Sequence, residues 1–280
     1  MYEQRSFIKV FAENKTGLFG LFGVVLIIFI GTFAGVIAEY PRGYSLDILH
    51  PPSMANPFGT DMLGLSVFAQ VVWGARTSLY VSFVAVTLAA VIGIPAGLVS
   101  GYVKGRIGAL IDSIIDISLT LPVLPLMIVI AAIMGPSVTN VAIVIGLLAW
   151  PSLARVTRNS TMKVAEMQYI EAARCLHISN FNILTRHVLL NIAGPVLVNL
   201  TLVMATAVLS ESGLSFLGLG DPTAWSWGTI LRRAWAAGAV IDMPNPWWWW
   251  SIPSAFIVFY VVCFNLLGSA VNEALNPRTS

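Results

Sequence analysis

Charged residues are scarce in this chain. Only 10% of its 280 residues are Asp, Glu, Lys or Arg, and 57% are hydrophobic, whereas soluble domains carry about 25% charged residues. A soluble fold of this length could not cover its surface with so few charges, so lipid is expected to be the solvent for much of it. No polar stretch is long enough to form a separate soluble domain.

Basic clusters, paired cysteines and common catalytic motifs are also missing. A net charge of +2 without a basic cluster argues against nucleic acid as a partner. Cys175 lies in a polar loop and Cys263 in an apolar run, so two free thiols are expected. The three histidines do not cluster, and no P-loop, H-E-x-x-H or G-x-S-x-G occurs. We therefore expect no catalytic residue, metal or cofactor in this chain.

Six long apolar runs dominate what is present. A helix needs about 20 apolar residues to cross the hydrocarbon core of a bilayer. The first run follows a charged stretch but is too long for the apolar part of a signal peptide. The sequence therefore predicts an all-α, polytopic membrane protein with about six transmembrane helices, at 17–38, 78–101, 109–134, 138–157, 188–210 and 248–271.

The distribution of basic residues predicts the orientation. If both termini are cytoplasmic, residues from Arg5 and Lys9 to Arg278 lie inside, as the positive-inside rule requires. The outer loops then contain only four of the 15 Lys and Arg residues, namely Arg42, Arg76, Arg232 and Arg233. Four tryptophans at 247–250 would begin the sixth helix at the outer interface, as an aromatic belt or, alternatively, as a ligand-stacking platform.

The inner loop at 158–187 is the most informative polar segment. It reads RNSTMKVAEMQYIEAARCLHISNFNILTRH, and its pattern predicts a helix over Met162–Leu176 and a second short helix from Phe181. Ala172 and Ala173 would allow close approach of another backbone, and Glu171 would add a carboxylate there. Such a knob suits docking into a groove of a partner. The alternative is an amphipathic helix lying on the inner membrane surface.

Five segments carry a family resemblance. YIEAARCLHISNFNILTRHVLLN resembles the EAA loop of ABC importer permeases, whose coupling helix inserts into the ATPase subunit. Four more segments resemble motifs of the dipeptide, oligopeptide and nickel permease subfamily, in the expected order across most of residues 55–280. They are NPFGTDMLGLSVFAQVVWGARTSL, WPSLARVTRNSTMKV, ESGLSFLGLGDPTAWSWGTIL and FNLLGSAVNEALNPR. The chain thus resembles a C-type permease subunit of a binding-protein-dependent importer.

The resemblance implies an architecture and a set of partners. Residues 1–77 would hold the N-terminal tail, first helix and outer loop, and 78–280 a five-helix core of the type I importer fold. The expected partners are a second, similar permease, two cytoplasmic ATPase subunits that bind ATP and Mg, an extracytoplasmic solute-binding protein and the bilayer of a prokaryotic cell membrane. Peptides are the default cargo, and oligosaccharides or nickel remain open. Other classes left open are a secondary transporter, a membrane-embedded enzyme and a structural anchor.

The resemblance also implies site residues. ATPase coupling would involve Tyr169, Glu171, Ala172, Ala173, Arg174 and His177. The outer gate would include Glu211, Ser212, Leu214, Ser215 and Phe216, with Glu211 ending the fifth helix. An Asp61–Arg76 pair would mark the outer docking loop.

Several positions depart from the subfamily pattern and suggest a divergent member. His177 stands where the family has glycine, Leu190 where it often has proline, and Ser113 where it usually has arginine. The outer motif reads Gly64-Leu65-Ser66 instead of Gly-Arg-Asp.

Two carboxylates near the inner end of the third span need partners. Asp112 and Asp116 lie one helical turn apart. Carboxylates at membrane depth are costly and usually functional. We expect a structural ion pair with Lys104 or Arg106, with a proton relay as the alternative.

Overall fold

The computed structural model describes residues 7–241 and 246–275, with residues 7–9 described by their backbone alone. Arg5, Arg278, the side chain of Lys9 and the end of the C-terminal motif lie outside the described residues. The named elements of the described part are helices, including one π-helical turn at Ile183–Val188. Its α-helices are α1 (Phe7–Glu13), α2 (Lys15–Thr32), α3 (Ala34–Ile37), α4 (Val67–Tyr102), α5 (Arg106–Thr120), α6 (Val123–Met134), α7 (Val138–Ala165), α8 (Gln168–Cys175), α9 (Asn180–Asn182), α10 (Leu189–Asn191), α11 (Ala193–Phe216), α12 (Trp227–Ala236) and α13 (Trp247–Leu275).

Five of these helices are long and apolar enough to cross a membrane, namely α2, α4, α7, α11 and α13. The predicted third span is instead a pair, α5 and α6, bent by 87° at Leu121 and Pro122. Leu121 is extended (φ −70°, ψ 139°), because the ring of a following proline disfavours the helical conformation. The all-helical prediction is confirmed, with five helices that could each cross a membrane and a sixth span only if the bent pair counts as one.

Three predicted boundaries are wrong in the same direction, because each helix is longer than the predicted span. α4 begins at Val67, where Ser66 Oγ caps it by accepting from the Ala69 amide, so residues 67–77 are not loop. α7 continues to Ala165 and α11 to Phe216, past the predicted loop starts at 158 and 211. The extension of α7 contains Arg158 and Lys163, and such side chains are good helix formers, so the end of an apolar run is not the end of the helix.

α4 and α7 form a parallel pair at the centre of the bundle. A glycine row on α4 lets the backbones touch, because a Cβ on Gly93 would lie 2.8 Å from the Trp150 carbonyl oxygen and one on Gly97 2.5 Å from that of Ala154. α2 approaches α13 in the same way through Gly17, Gly20 and Gly23. Small residues at such contacts are typical of helices packed in lipid.

One end of the bundle, called the outer end because the predicted orientation places it outside, is covered by the loop at 38–66 and by α12. Indole N–H groups fasten this cover, since Trp225 donates to the carbonyl of Pro41, Trp227 to Val71 and Trp248 to Thr60. Trp248 and Trp249, predicted to belong to an interface belt, are buried in this packing, and Trp247 is half exposed. The belt prediction is therefore wrong for the two buried rings.

Candidate functional site

α8 is a separate short helix and not part of a helix over Met162–Leu176. α7 ends at Ala165, Met167 is extended (φ −75°, ψ 141°), and α8 begins at Gln168. No glycine or proline marks the break, so the sequence pattern joined the two helices wrongly. The break turns α8 away from α7 and leaves it at the end of the bundle opposite the outer cover.

α8 has one face packed against its own chain and one face open. Ile170 and Ala173 are buried in a cluster with the end of α4 and the π-helical turn. Glu171 and Ala172 are exposed beside Tyr169. Of the two alanines predicted at the docking tip, only Ala172 lies there, because Ala173 points into the protein.

His177 adopts the backbone conformation that glycine would supply. Its φ is +56°. Its amide donates to the Arg174 carbonyl, and the Ile178 amide donates to that of Ala173, which is the hydrogen-bond pattern of a Schellman motif closing α8. The turn is thus formed although histidine stands where the family has glycine.

Tyr102, the last residue of α4, ties the α8 segment to the bundle. Arg174 Nε donates to the Tyr102 hydroxyl over 3.1 Å, and its guanidinium lies 4.8 Å from the ring centroid. The same hydroxyl donates to Asn180 Oδ1 over 3.2 Å. The sequence reasoning missed Tyr102, which appears there only as an aromatic residue at the polar end of an apolar run. Arg174, predicted as a coupling residue, is engaged within its own chain.

Asp112 and Asp116 pair with α7 and not with the predicted Lys104 or Arg106. Arg158 Nε lies 2.7 Å from Asp112 Oδ1, and Arg155 pairs with both carboxylates. These contacts join α5 to α7, which lie far apart in sequence, so local charge spacing could not reveal them. Because the charged groups are partly exposed, these ion pairs are expected to add little to the free energy of unfolding. Their main effect is to fix the position of α5 against α7.

The predicted gate residues lie inside α11 and not in a loop after it. Glu211 is 2% exposed and accepts hydrogen bonds from Ser215 Oγ (2.7 Å) and Ser212 Oγ (3.4 Å). Leu214 is also buried, and Phe216, the last helical residue, is 38% exposed. The helix therefore brings Glu211 together with its serines, while a gate role for these residues stays a prediction.

The predicted Asp61–Arg76 pair does not form in the part of the chain that the structure describes. Asp61 is buried and accepts from the amides of Leu63 and Leu65 and from Gln70 Nε2 (2.6 Å). Arg76 lies over the Trp73 ring instead. Burial lowers the pKa of Arg233, and the charge of Asp61 opposes that shift. Asp61 therefore anchors the loop turn and acts on Arg233.

The His, Cys, Asp and Glu side chains of the described residues are dispersed. Across residues 7–241 and 246–275, no three His, Cys, Asp or Glu side chains come together as a metal site requires. Cys175 is exposed on α8 and Cys263 is buried in α13.

Comparisons with known proteins agree with one another. A family model described as "Binding-protein-dependent transport system inner membrane component" matches residues 93–280. A protein named di/tripeptide transport system permease protein DppC, from Pseudomonas aeruginosa, is 35% identical over 283 residues, covering 98% of this chain and 92% of the relative. A putative peptide permease protein of Brucella suis is 33% identical over 271 residues, covering 96% and 89%.

A solved structure supports the fold. An inward-facing structure of the MetNI methionine ABC transporter contains a chain that aligns with a TM-score of 0.60 at 18% identity, covering 74% of this chain and 96% of that one. At this identity the likeness shows the helical fold alone.

Proposed function

Since the chain belongs to the family of binding-protein-dependent transport system inner membrane components, we propose that it is the permease subunit of a peptide importer driven by separate ATPase subunits. It would lie in the cell membrane with both termini in the cytoplasm, beside a second, similar permease. A solute-binding protein would deliver cargo at the outer end.

The observation that carries this proposal is the open face of α8. Tyr169, Glu171 and Ala172 are exposed on a helix whose other face is packed against its own chain. At its end, Leu176 is 76% exposed, and Phe181 on the next helix is 74% exposed. Apolar side chains around a single carboxylate on a short helix suit a groove on a partner.

The contacts of α8 would transmit a movement of this helix to the rest of the bundle. Tyr102 joins Arg174 and Asn180 to the end of α4, which is packed closely along α7. A partner that binds α8 differently in two states would shift the bundle between two arrangements. The chain's own task is mechanical, and ATP and Mg are expected in the ATPase subunits.

The names of the relatives support peptides as cargo. Oligosaccharides and nickel are the alternatives within the same class of importer. An ATP-independent secondary transporter is a second candidate, favoured only by the buried carboxylate of Glu211 in α11, because such transporters use ionisable groups within the membrane.

Copurification tests the proposed function. The tagged chain would be purified from native membranes in mild detergent as wild type, Glu171→Lys and Glu39→Lys, and associated proteins identified by mass spectrometry. Glu39 is a matched control because it is an exposed carboxylate at the opposite end of the bundle. We expect an ATPase and a second permease with wild type and Glu39→Lys, and loss of the ATPase with Glu171→Lys. A wild-type chain that purifies without any ATPase contradicts the proposal.

A further inference from the structure

Two adjoining cavities lie at the outer end of the bundle, under the loop at 38–66. The first has a volume of about 270 Å³, close to the lower end of the roughly 300–1,000 Å³ range of small-molecule pockets. The second holds about 10 Å³, room for one water-sized group. Thr77, Val138 and Ala224 line both cavities, so the two share a wall.

The first cavity has aromatic walls that are already fixed. Its rings belong to Tyr40, Trp73, Tyr80 and Trp225. The polar group of each ring has a hydrogen-bond partner. The Tyr40 hydroxyl donates to the Thr223 carbonyl, and the Tyr80 and Thr139 hydroxyls share a hydrogen bond. The Trp73 indole donates to the Ala38 carbonyl and the Trp225 indole to the Pro41 carbonyl. The rings therefore offer apolar faces to a ligand at little further ordering cost.

A cation without an acceptor lies at this cavity. The Arg76 guanidinium sits 5.3 Å from the Trp73 ring centroid. Among the described residues, no carboxylate or carbonyl oxygen accepts a hydrogen bond from it. Its fork of N–H donors matches the geometry of a carboxylate.

The second cavity is lined by carboxylates, whereas the first is lined by the cation Arg76. Glu211 lines it, and within the described residues this carboxylate meets only serine hydroxyls and no cation. Asp221 lines the same space, and one of its carboxylate oxygens accepts hydrogen bonds from the amide and the hydroxyl of Thr223. A buried carboxylate without a cation is costly, and an ammonium group is small enough to occupy a space of this size.

We propose that the two cavities form one binding site for a zwitterionic peptide, with the peptide carboxylate at Arg76, an apolar side chain among the aromatic rings, and the ammonium group beside Glu211. Arg76, the aromatic rings and Glu211 line two adjoining cavities in the order anion-binding group, apolar walls and cation-binding group. This order matches that of the carboxylate, apolar side chain and ammonium group of a short peptide. The site rests on the proposed function and deepens it, because it lets the permease itself recognise free peptide ends.

Binding by blocked peptides tests the site. The permease with its copurified partners would be placed in nanodiscs without binding protein and titrated calorimetrically with Ala-Phe, its C-terminal amide and its N-acetyl derivative. We expect wild type to bind Ala-Phe about tenfold more tightly than either blocked peptide, as for a lost charge-assisted hydrogen bond. Arg76→Gln should bind Ala-Phe and the amide alike, and Glu211→Gln should bind Ala-Phe and the N-acetyl derivative alike.

The control is Arg232→Gln, an exposed arginine on α12 that lines neither cavity, and it should bind like wild type. Wild type that does not distinguish the blocked peptides, or Arg76→Gln that still rejects the amide, overturns the site. If Glu211→Gln fails to fold, the exposed Arg76 variant decides alone. This binding assay needs no ATP, so it separates the site from the proposed function. ATP-driven uptake without the expected differences in binding would overturn the site and keep the proposed function. The expected differences in binding without an ATPase partner would keep the site and overturn the proposed function.

Discussion

At the scale of single residues, His177 shows how the fold keeps a turn without the residue that favours it. Its φ of +56° places a side chain in the left-handed region, which costs an L-residue roughly 1–2 kcal/mol. Two backbone hydrogen bonds of the Schellman pattern hold it there. The pattern of exposed Glu171 and buried Ala173 on α8 depends on this turn, because it directs the chain back towards α4.

His177→Gly should make the end of α8 more stable, because glycine adopts a positive φ without a Cβ penalty. We expect amide hydrogen exchange at residues 176–178 to slow about fivefold, as a gain of about 1 kcal/mol implies. His187→Gly is the matched control. It lies in helical backbone, where glycine costs about 1 kcal/mol, so local exchange should speed up. Faster exchange in His177→Gly would contradict the strained-turn account.

Single-residue predictions from the sequence failed where contacts join distant segments of the chain, and the coupling roles of the α8 residues stay predictions. Glu171 and Ala172 are exposed as expected of a docking tip. Asp112 was paired with the wrong partner, because its true partner Arg158 lies on another helix. Tyr102 carried no signal, because its role arises only when Arg174 and Asn180 fold back onto α4.

At the scale of elements, the structure points to a rigid link between α8 and α4. One tyrosine hydroxyl accepts from Arg174 and donates to Asn180, so both sides of the α8–α9 turn are held at one point. A net hydrogen bond contributes about 1 kcal/mol, and losing two would loosen α8 without removing the face that docks.

Tyr102→Phe should uncouple transport from ATP hydrolysis. The ring under the guanidinium remains, whereas both hydroxyl hydrogen bonds are lost, so we expect the ATPase still to copurify while peptide imported per ATP hydrolysed falls about fivefold. Tyr44→Phe, an 86% exposed tyrosine of the outer loop, should leave this ratio unchanged. An unchanged ratio in Tyr102→Phe would remove Tyr102 from the coupling route.

Gly20→Val should separate α2 from α13. A Cβ at Gly20 would lie 2.8 Å from the Cys263 carbonyl oxygen and from the Leu267 amide nitrogen, and backbone atoms cannot rotate away. Overpacking of this kind costs about 1–3 kcal/mol, so the thermal unfolding midpoint in detergent should fall by several degrees. Gly35→Val, with no atom nearer than 3.8 Å, should change it little. Equal midpoints for the two variants would show that the contact is not tight.

The sequence predicted the number of membrane-spanning helices better than it predicted where each helix begins and ends. Apolar runs located each span, because lipid demands about 20 apolar residues of any helix that crosses it. The extensions of α4, α7 and α11 lie beyond the predicted apolar spans. In α7, residues such as Arg158 and Lys163 are good helix formers and continue the helix. The 87° bend between α5 and α6 follows from Pro122, but proline inside α4 at Pro95 causes no such break, so proline alone could not predict it.

At the scale of the whole molecule, the two ends of the bundle are built differently. The outer end is covered by a hydrogen-bonded loop and by α12 and contains the two cavities. The other end presents α8 with an open face. This polarity is what a subunit needs if it receives cargo at one end and mechanical work at the other. The predicted division at residue 77 stays a prediction.

The central claim is that ATP binding elsewhere moves this chain through α8. The most direct test is uptake of a labelled dipeptide by proteoliposomes containing the copurified complex and its binding protein, with and without ATP, for wild type, Glu171→Lys and Glu39→Lys. The account predicts uptake only with ATP, at least tenfold lower in Glu171→Lys and unchanged in Glu39→Lys. Uptake by wild type that proceeds without ATP, driven by an ion gradient alone, would contradict it and favour a secondary transporter.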